Sequence, residues 1–270
     1  MSTEKDAVRD FWDEASCGEK LYLEGADPEG FRKQAAARYA LEPYIVPFAD
    51  FSSTRGKRVL EIGVGLGADH QRFAEAGAVL SGLDLTPRAV DFTRRRLAAF
   101  GLSSDLQVGD AEQLPFEDET FDRVYSWGVI HHSPDTPAAV REICRVMRPG
   151  GTAAVMVYHT HSLVGLMLWL RYALARARPW ISLSTIYASY LESPGTKAYS
   201  IREGHALFSQ FTDVTVRTQL THGDLLSSQA GQRHEGLVIR IMRVMWPRWF
   251  FTRFCKRSGL FMLINATKPR

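Results

Sequence analysis

The sequence predicts an α/β protein with a doubly wound, mostly parallel sheet, and three observations carry that reading. Short apolar runs alternate with helical stretches between residues 57 and 159, the pattern of successive βαβ units. Both ends of the helical stretches carry stop and start signals, among them Gly77, Thr86-Pro87, Gly101 and Pro149-Gly150-Gly151. The first apolar run flows straight into VLEIGVGLG (59–67), with glycines at 63, 65 and 67. A glycine-rich first βα turn marks the ligand-binding end of such a sheet.

The elements follow in order. Residues 1–50 read as helical, interrupted by GADPEG at 25–30. KRVLEIG is a short buried strand, and GADHQRFAEAG is a helix ended by Gly77. AVLSGLDL is the second strand, and Thr86 caps the next helix with Pro87 at its first position. SSDLQVGD and FDRVYSWGVI are strands three and four. PDTPAAVREICRVMRPGG is a helix with a Pro-Gly-Gly stop, and TAAVMVYH is strand five. After His161 the alternation ceases. IREGHALFSQF (201–211) is a helix, DVTVRTQL (213–220) alternates as a strand, and LFMLINATKP is the last strand. Residues 221–259 between those strands are too many for a hairpin turn and suggest a lid.

The expected organisation is a helical N-terminal lid (1–50), a ligand-binding core (51–161), an insert (162–200), a core continuation (201–220), a second insert (221–258) and a final core strand (259–270). Of the 270 residues, 45% are hydrophobic and 23% charged, enough apolar material for a sizeable core. The net charge of +3 comes with no basic tail, so nothing favours nucleic acid. Three scattered cysteines show no CxxC spacing, which argues against a zinc site or disulfide framework. MSTEKDAVRD lacks the apolar stretch of a signal peptide, and a cytoplasmic location is expected.

Charge separates the ligands that such a turn could take. Gly63-x-Gly65-x-x-Ala68 with Asp84 satisfies a loose dinucleotide fingerprint. NAD would set a pyrophosphate there. Yet Glu61 precedes the turn, Asp69 follows it, and no Lys or Arg occurs from 59 to 71. Those carboxylates suit a cationic nucleoside such as S-adenosylmethionine. Asp84, at the end of strand two, is placed to accept ribose hydroxyls, with Leu85 beside it. Asp110 and Ala111 follow strand three, where a carboxylate and an N–H could read an adenine edge.

With VLEIGVGLG, GLDLT (82–86), GDAEQLPFEDETFDRVYSWGVIHH (109–132) and REICRVMRPGG (141–151), the chain resembles the class I S-adenosylmethionine-dependent methyltransferases, in particular small bacterial enzymes acting on small molecules. The resemblance implies a Rossmann-like seven-stranded sheet whose last strand is antiparallel. It implies that Glu61, Gly63, Gly65 and Gly67 line the methionine and ribose side, Asp84 the ribose and Asp110 the adenine. Trp127 or Gly128 would sit at the approach to the methyl, and Trp12 and Tyr22 would wall the cofactor. The product would be S-adenosylhomocysteine. No Asn-Pro-Pro-Tyr-like tetrapeptide follows strand four, against base methylation in nucleic acid.

His131, His132 and Tyr158 are the candidate catalytic residues, at the carboxyl ends of strands four and five. An imidazole can take an acceptor's proton near neutral pH; the bland reading is that the histidines only hold the loop. Cys17 lacks an adjacent base and reads as a small packed residue. LVGLMLWLRYALARARPW (163–180) and GLVIRIMRVMWPRWFFTRFCKR (236–257) have apolar and basic positions at helical spacing. They read as core or lid helices, as a membrane-surface element in the case of 236–257, or as a dimer contact. The expected function is methyl transfer to a lipophilic or aromatic small molecule by a monomer or homodimer. Oxygen or nitrogen is the favoured acceptor, with carbon or sulfur next. The rival readings are an NAD-dependent oxidoreductase and a non-catalytic nucleoside binder.

Overall fold

The computed structural model describes residues 3–227 and 246–270. Its N-terminal part holds helices α1 (Thr3–Glu14), α2 (Glu19–Tyr22), α3 (Pro28–Leu41) and α4 (Ile45–Ala49), then a 3₁₀ turn at Phe51–Thr54. Alternation follows: β1 (Arg58–Ile62), α5 (Ala68–Glu75), β2 (Val79–Asp84), α6 (Pro87–Ala99), β3 (Asp105–Val108), β4 (Phe121–Trp127), α7 (Thr136–Val146) and β5 (Met147–Tyr158). The insert contributes α8 (Leu163–Tyr172) and α9 (Leu183–Tyr190). The chain then forms α10 (Ile201–Leu207), β6 (Thr212–Gln219), α11 (Arg248–Phe254) and β7 (Phe261–Thr267).

The seven strands lie in the order β3-β2-β1-β4-β5-β7-β6. β1 to β5 are parallel; β7 is antiparallel to both β5 and β6. Period-two alternation divides the core. Val124, Val155 and Val157 face α7 and α10, packing with Val140, Ile143 and Phe208. Tyr125, Ala154, Met156 and Tyr158 face the other way, with Phe48 of α4, Phe73 of α5 and Tyr187 of α9. Both faces are covered, as a mainly parallel sheet requires.

Local signals explain the helix starts. The Thr86 hydroxyl accepts from Ala89 N with Pro87 in the first turn, and the Asp135 carboxylate accepts from Ala138 N. Helix α7 buries Ala139, Val140, Ile143 and Val146, one apolar stripe at helical spacing. One expectation is corrected here. The Pro-Gly-Gly sequence does not stop that helix, which already ends at Val146; it lies inside β5. Phe121 pairs with Met147 and Arg123 with Thr152, so Arg148–Gly151 bulge out of register. Proline has no N–H for the ladder, and a bulge is where a strand tolerates it.

Arg96 fastens α3 to the core. Its buried guanidinium donates to Gln71 Oε1 at 2.7 Å, Gln34 Oε1 at 2.7 Å, and the carbonyls of Leu66 and Phe31 at 3.0 and 2.8 Å. Burial lowers it only to about 10, so it stays charged at neutral pH. Residues 236–245 of the second helical stretch expected above lie outside the described residues.

Candidate active site

A cavity of about 1240 Å³ opens at the carboxyl ends of β1, β2 and β4 and runs on beneath α1, α2 and α8. Sites for one small ligand commonly measure roughly 300–1,000 Å³, so this one has room for two molecules side by side. Trp12, Glu61, Gly63, Gly65, Gly67, Asp84, Leu85, Asp110, Ala111, Trp127, His132 and Tyr158 all line it. His131 does not.

The glycine turn is more particular than the sequence suggests. A Cβ on Gly63 would stand 2.0 Å from Val129 Cγ2, and one on Gly67 would stand 2.8 Å from Thr93 Oγ1. Protein packing accounts for these two. Gly65, at φ 52°, has nothing within 4 Å of the position a Cβ would take. Its amide donates to Asp84 Oδ2 at 3.1 Å, which fixes the turn against the end of β2. Open space over a bare backbone, beside a carboxylate, fits a nucleoside ribose.

The electrostatic expectation for this turn is corrected. Asp69 is not an uncompensated charge. Arg38 of α3 donates to it from Nε at 3.1 Å and Nη2 at 2.6 Å, and the hydroxyls of Tyr39 and Tyr125 each donate at 2.9 Å. Burial pushes Asp69 up, but Arg38 and these donors outweigh it and hold the carboxylate below its ordinary value. The neutralising cation comes from a helix that no window around residues 59–71 could contain.

Glu61 is buried and meets His70 Nδ1 at 2.8 Å; His70 Nε2 meets Ser104 Oγ at 2.8 Å, and Ser104 donates to the Leu80 carbonyl at 2.8 Å. Burial, then the charge of Asp69, drives Glu61 well above the usual carboxylate range. Burial takes His70 down to about 3. The three contacts need three protons. Ser104 commits its own to Leu80, so His70 donates from Nε2. Burial disfavours charge on both Glu61 and His70 and so favours a hydrogen bond from the carboxyl to Nδ1 over an ion pair.

At the far side of β2, Asp84 accepts from Thr86 N and Oγ1 at 3.0 and 2.9 Å, and burial raises it despite these bonds. Asp110 accepts from Glu112 N at 2.9 Å and pairs with Lys5, which reaches it from α1. Trp127 stacks between Tyr44 and Tyr125 with centroid separations of 6.1 and 6.5 Å. Trp12 meets the His132 ring edge-on at 5.2 Å.

The 3₁₀ turn Ile130–His132 after β4 separates the two histidines. His131 is fully buried behind His132 and Tyr158, at centroid distances of 4.2 and 4.1 Å, and neither ring nitrogen has a hydrogen-bond partner. Burial, then the neighbouring His132 and Lys197, pushes it well below its ordinary value. His132 reaches the cavity. Its Nδ1 lies 2.8 Å from Ser193 Oγ and 3.1 Å from Thr196 Oγ1, and Thr196 donates its proton to the Ser193 carbonyl at 2.6 Å. The Thr196 contact is therefore a hydrogen bond when Nδ1 carries the imidazole proton, and that tautomer leaves Nε2 a bare acceptor.

Glu192, which the sequence reading missed, lies 3.4 Å from His132 Nε2 and accepts from the Tyr158 hydroxyl at 2.7 Å. It is the first carboxylate after a run of 49 residues, 143–191, without one; that isolation was the signal available. Ligating atoms of His131, His132 and Glu192 all fall within 4.8 Å of one another. Cys17 is also corrected: it is not packed away but lies on the cavity wall, accessible to solvent.

A family model described as a methyltransferase domain matches residues 60–155. Over 98 residues the chain is 44% identical to a probable phthiotriol/phenolphthiotriol dimycocerosates methyltransferase 2 of Mycobacterium ulcerans, covering 36% of this chain and 37% of that one. Over 116 residues it is 38% identical to a fatty-acid O-methyltransferase of Mycolicibacterium smegmatis, covering 42% and 41%. The chain thus spans less than half the length of these relatives. Among solved structures, the fold is similar to a Haemonchus contortus phosphoethanolamine N-methyltransferase 2 bound to phosphomonomethylethanolamine and S-adenosylhomocysteine. The TM-score is 0.62 at 18% identity, over 97% of this chain and 60% of that one. Residues 60–155 thus resemble a methyltransferase domain, and the sheet order and the glycine turn described above agree with that likeness.

Proposed function

We propose that the protein transfers a methyl group from S-adenosylmethionine to an oxygen of a lipophilic small molecule. One observation carries the reading: a single cavity joins the glycine turn to the His132–Glu192–Tyr158 cluster and then to an apolar wall of Val164, Met167 and Leu168. The names of the mycobacterial relatives, which act on lipids and fatty acids, agree with such a wall.

Glu61, Gly65, Asp84, Leu85, Asp110 and Ala111 would hold the cofactor, with Trp12 and Trp127 closing over it. When bound, the cofactor supplies a sulfonium methyl that needs no further activation. The chain's task is then to align the acceptor and exclude water, and good alignment alone contributes roughly 7–11 kcal/mol in favourable systems. His132 Nε2 takes the acceptor's proton, with its tautomer held by Thr196 and Ser193. Tyr158 positions Glu192 beside it. His131 acts only by packing behind that ring.

Calorimetry with S-adenosylhomocysteine and NAD, followed by transfer of labelled methyl to long-chain acids, phenols and lipid alcohols, tests the reading. Tighter binding of NAD would reject it in favour of an oxidoreductase. Homocysteine-ligand binding with no labelled product from any of these acceptors or from a lipid extract would favour a nucleoside binder.

A further inference from the structure

Seven of the twelve large hydrophobic side chains exposed among the described residues come from two short segments. Leu166, Leu170, Leu174 and Trp180 follow one another through α8 and the turn after it. Trp249, Phe250 and Phe254 lie on α11. Trp180 and Trp249 are 77% and 73% exposed, unusual for the largest apolar side chain.

The charges on these segments have one sign. Residues 162–191 carry Arg171, Arg176 and Arg178 and no acid; residues 246–259 carry Arg248, Arg253, Lys256 and Arg257 and no acid. All seven cations are exposed. A face that packs on protein generally mixes both signs; aromatic and aliphatic side chains among exposed cations match an anionic bilayer surface.

Both segments leave from one anchor. The buried Asp224 carboxylate accepts from Val164 N at the start of α8 and from Leu260 N beyond α11, at 3.2 and 2.8 Å. The Asp224 carbonyl accepts from Trp246 Nε1 at 3.0 Å, and Leu163 N donates to the Ser258 carbonyl at 2.9 Å. Leu170 and Arg171 are exposed and also line the cavity, so the patch reaches the cavity's edge. The two helices have 10 and 7 residues. At 1.5 Å per residue both are far short of the ~30 Å of a bilayer core, and no described helix is long and apolar enough to cross a membrane.

We propose that α8, the 174–180 turn and α11 dock the protein on the surface of an anionic lipid bilayer, with the cavity edge at Leu170 facing the lipid. A lipophilic acceptor would then enter from the membrane without crossing water. The docking deepens the functional reading above and rests on it only for that last step.

Flotation of the full chain with phosphatidylglycerol-containing and with pure phosphatidylcholine vesicles tests the docking, in the absence of cofactor and acceptor. The expected result is at least tenfold tighter binding to the anionic vesicles, weakened severalfold by 0.5 M salt. Trp249→Ala with Phe254→Ala, and separately Arg253→Glu with Arg257→Glu, should each lower it at least tenfold while S-adenosylhomocysteine affinity and melting temperature stay unchanged. Equal or absent binding to the two vesicle types overturns the proposal. So does a concentration-dependent dimer in sedimentation that the Trp249/Phe254 variant abolishes in a protein that ignores vesicles. Intact flotation with no adenosyl-ligand binding would instead sink the functional reading and leave the docking standing.

Discussion

Arg38 Nη2 lies 2.6 Å from Asp69 Oδ2 and so ties the N-terminal helix α3 to the helix that follows the glycine turn. Asp69 is buried and Arg38 partly so, and Tyr39 and Tyr125 complete the shell of the carboxylate. Removing one partner of such a pair strands the other charge. Arg38→Met should destabilise the fold by about 3–5 kcal/mol, seen as a lower midpoint in urea. Asp69 is held below its ordinary 3.8, so its stabilisation is present above that pH and is lost as pH falls through the folded value. Wild type should therefore lose stability in acid more steeply than the variant; parallel acid profiles would contradict the pairing.

The glycine turn separates packing from binding. Gly63→Ala sets a Cβ 2.0 Å from Val129 and should cost stability first. Gly65→Ala meets no protein atom; it carries only the left-handed backbone penalty of about 1–2 kcal/mol. It should leave the fold largely intact and weaken S-adenosylhomocysteine binding at least tenfold. Thermal melts and calorimetry on both variants check the contrast; unchanged affinity in Gly65→Ala would remove that glycine from the site.

Glu61 makes a prediction about protons. Burial holds the ligand-free carboxyl, bonded to His70, well above the usual carboxylate range and so favours its protonated form. A cationic ligand beside it favours the carboxylate, so cofactor binding should release a proton and tighten as pH rises. Calorimetry in buffers of different ionisation enthalpy reads this directly. Glu61→Gln should abolish the release; a wild type that releases none would contradict the protonated state.

These pairs also mark where sequence reading ends. Strand positions, the Thr86 cap and the glycine turn are written in adjacent residues, and local physics is enough to find them. Likewise Asp84 and Asp110 follow from their places at strand ends. Arg38, 31 positions from Asp69, and Glu192, 60 positions from His132, meet their partners only through the fold. The charge of the crevice was therefore misread, because a cation supplied from another helix is invisible in a window of contiguous residues. His131 and His132 are adjacent in sequence, yet a 3₁₀ turn sends one to the cavity and one behind it, and no period in the sequence marks that turn.

Glu42 sets a second pH dependence. Burial, offset by Arg38 3.5 Å away, raises its carboxyl from 4.5 to about 7. A folded value above the unfolded one contributes stability fully below about pH 4.5 that is lost as pH rises through about 7. At 1.36 kcal/mol per pH unit the gap amounts to about 3 kcal/mol. Glu42→Gln should remove this loss and leave the variant the more stable protein above pH 7. Urea midpoints from pH 5 to 8 check it; a wild-type curve that stays flat across that window would contradict the raised value.

His132 and Thr196 together test the proton path. His132→Ala should lower kcat by about 10²–10⁴, the range for losing a general base, with S-adenosylhomocysteine affinity unchanged. Thr196→Val removes one of the two hydroxyls at Nδ1, the one that can only accept there, and leaves Ser193, so more of the imidazole carries the proton on Nε2, where it cannot accept. The expected result is a smaller fall in kcat, with KM little altered. If Thr196→Val changed KM alone and His132→Ala left kcat in place, His132 would be a wall of the acceptor pocket and not its base.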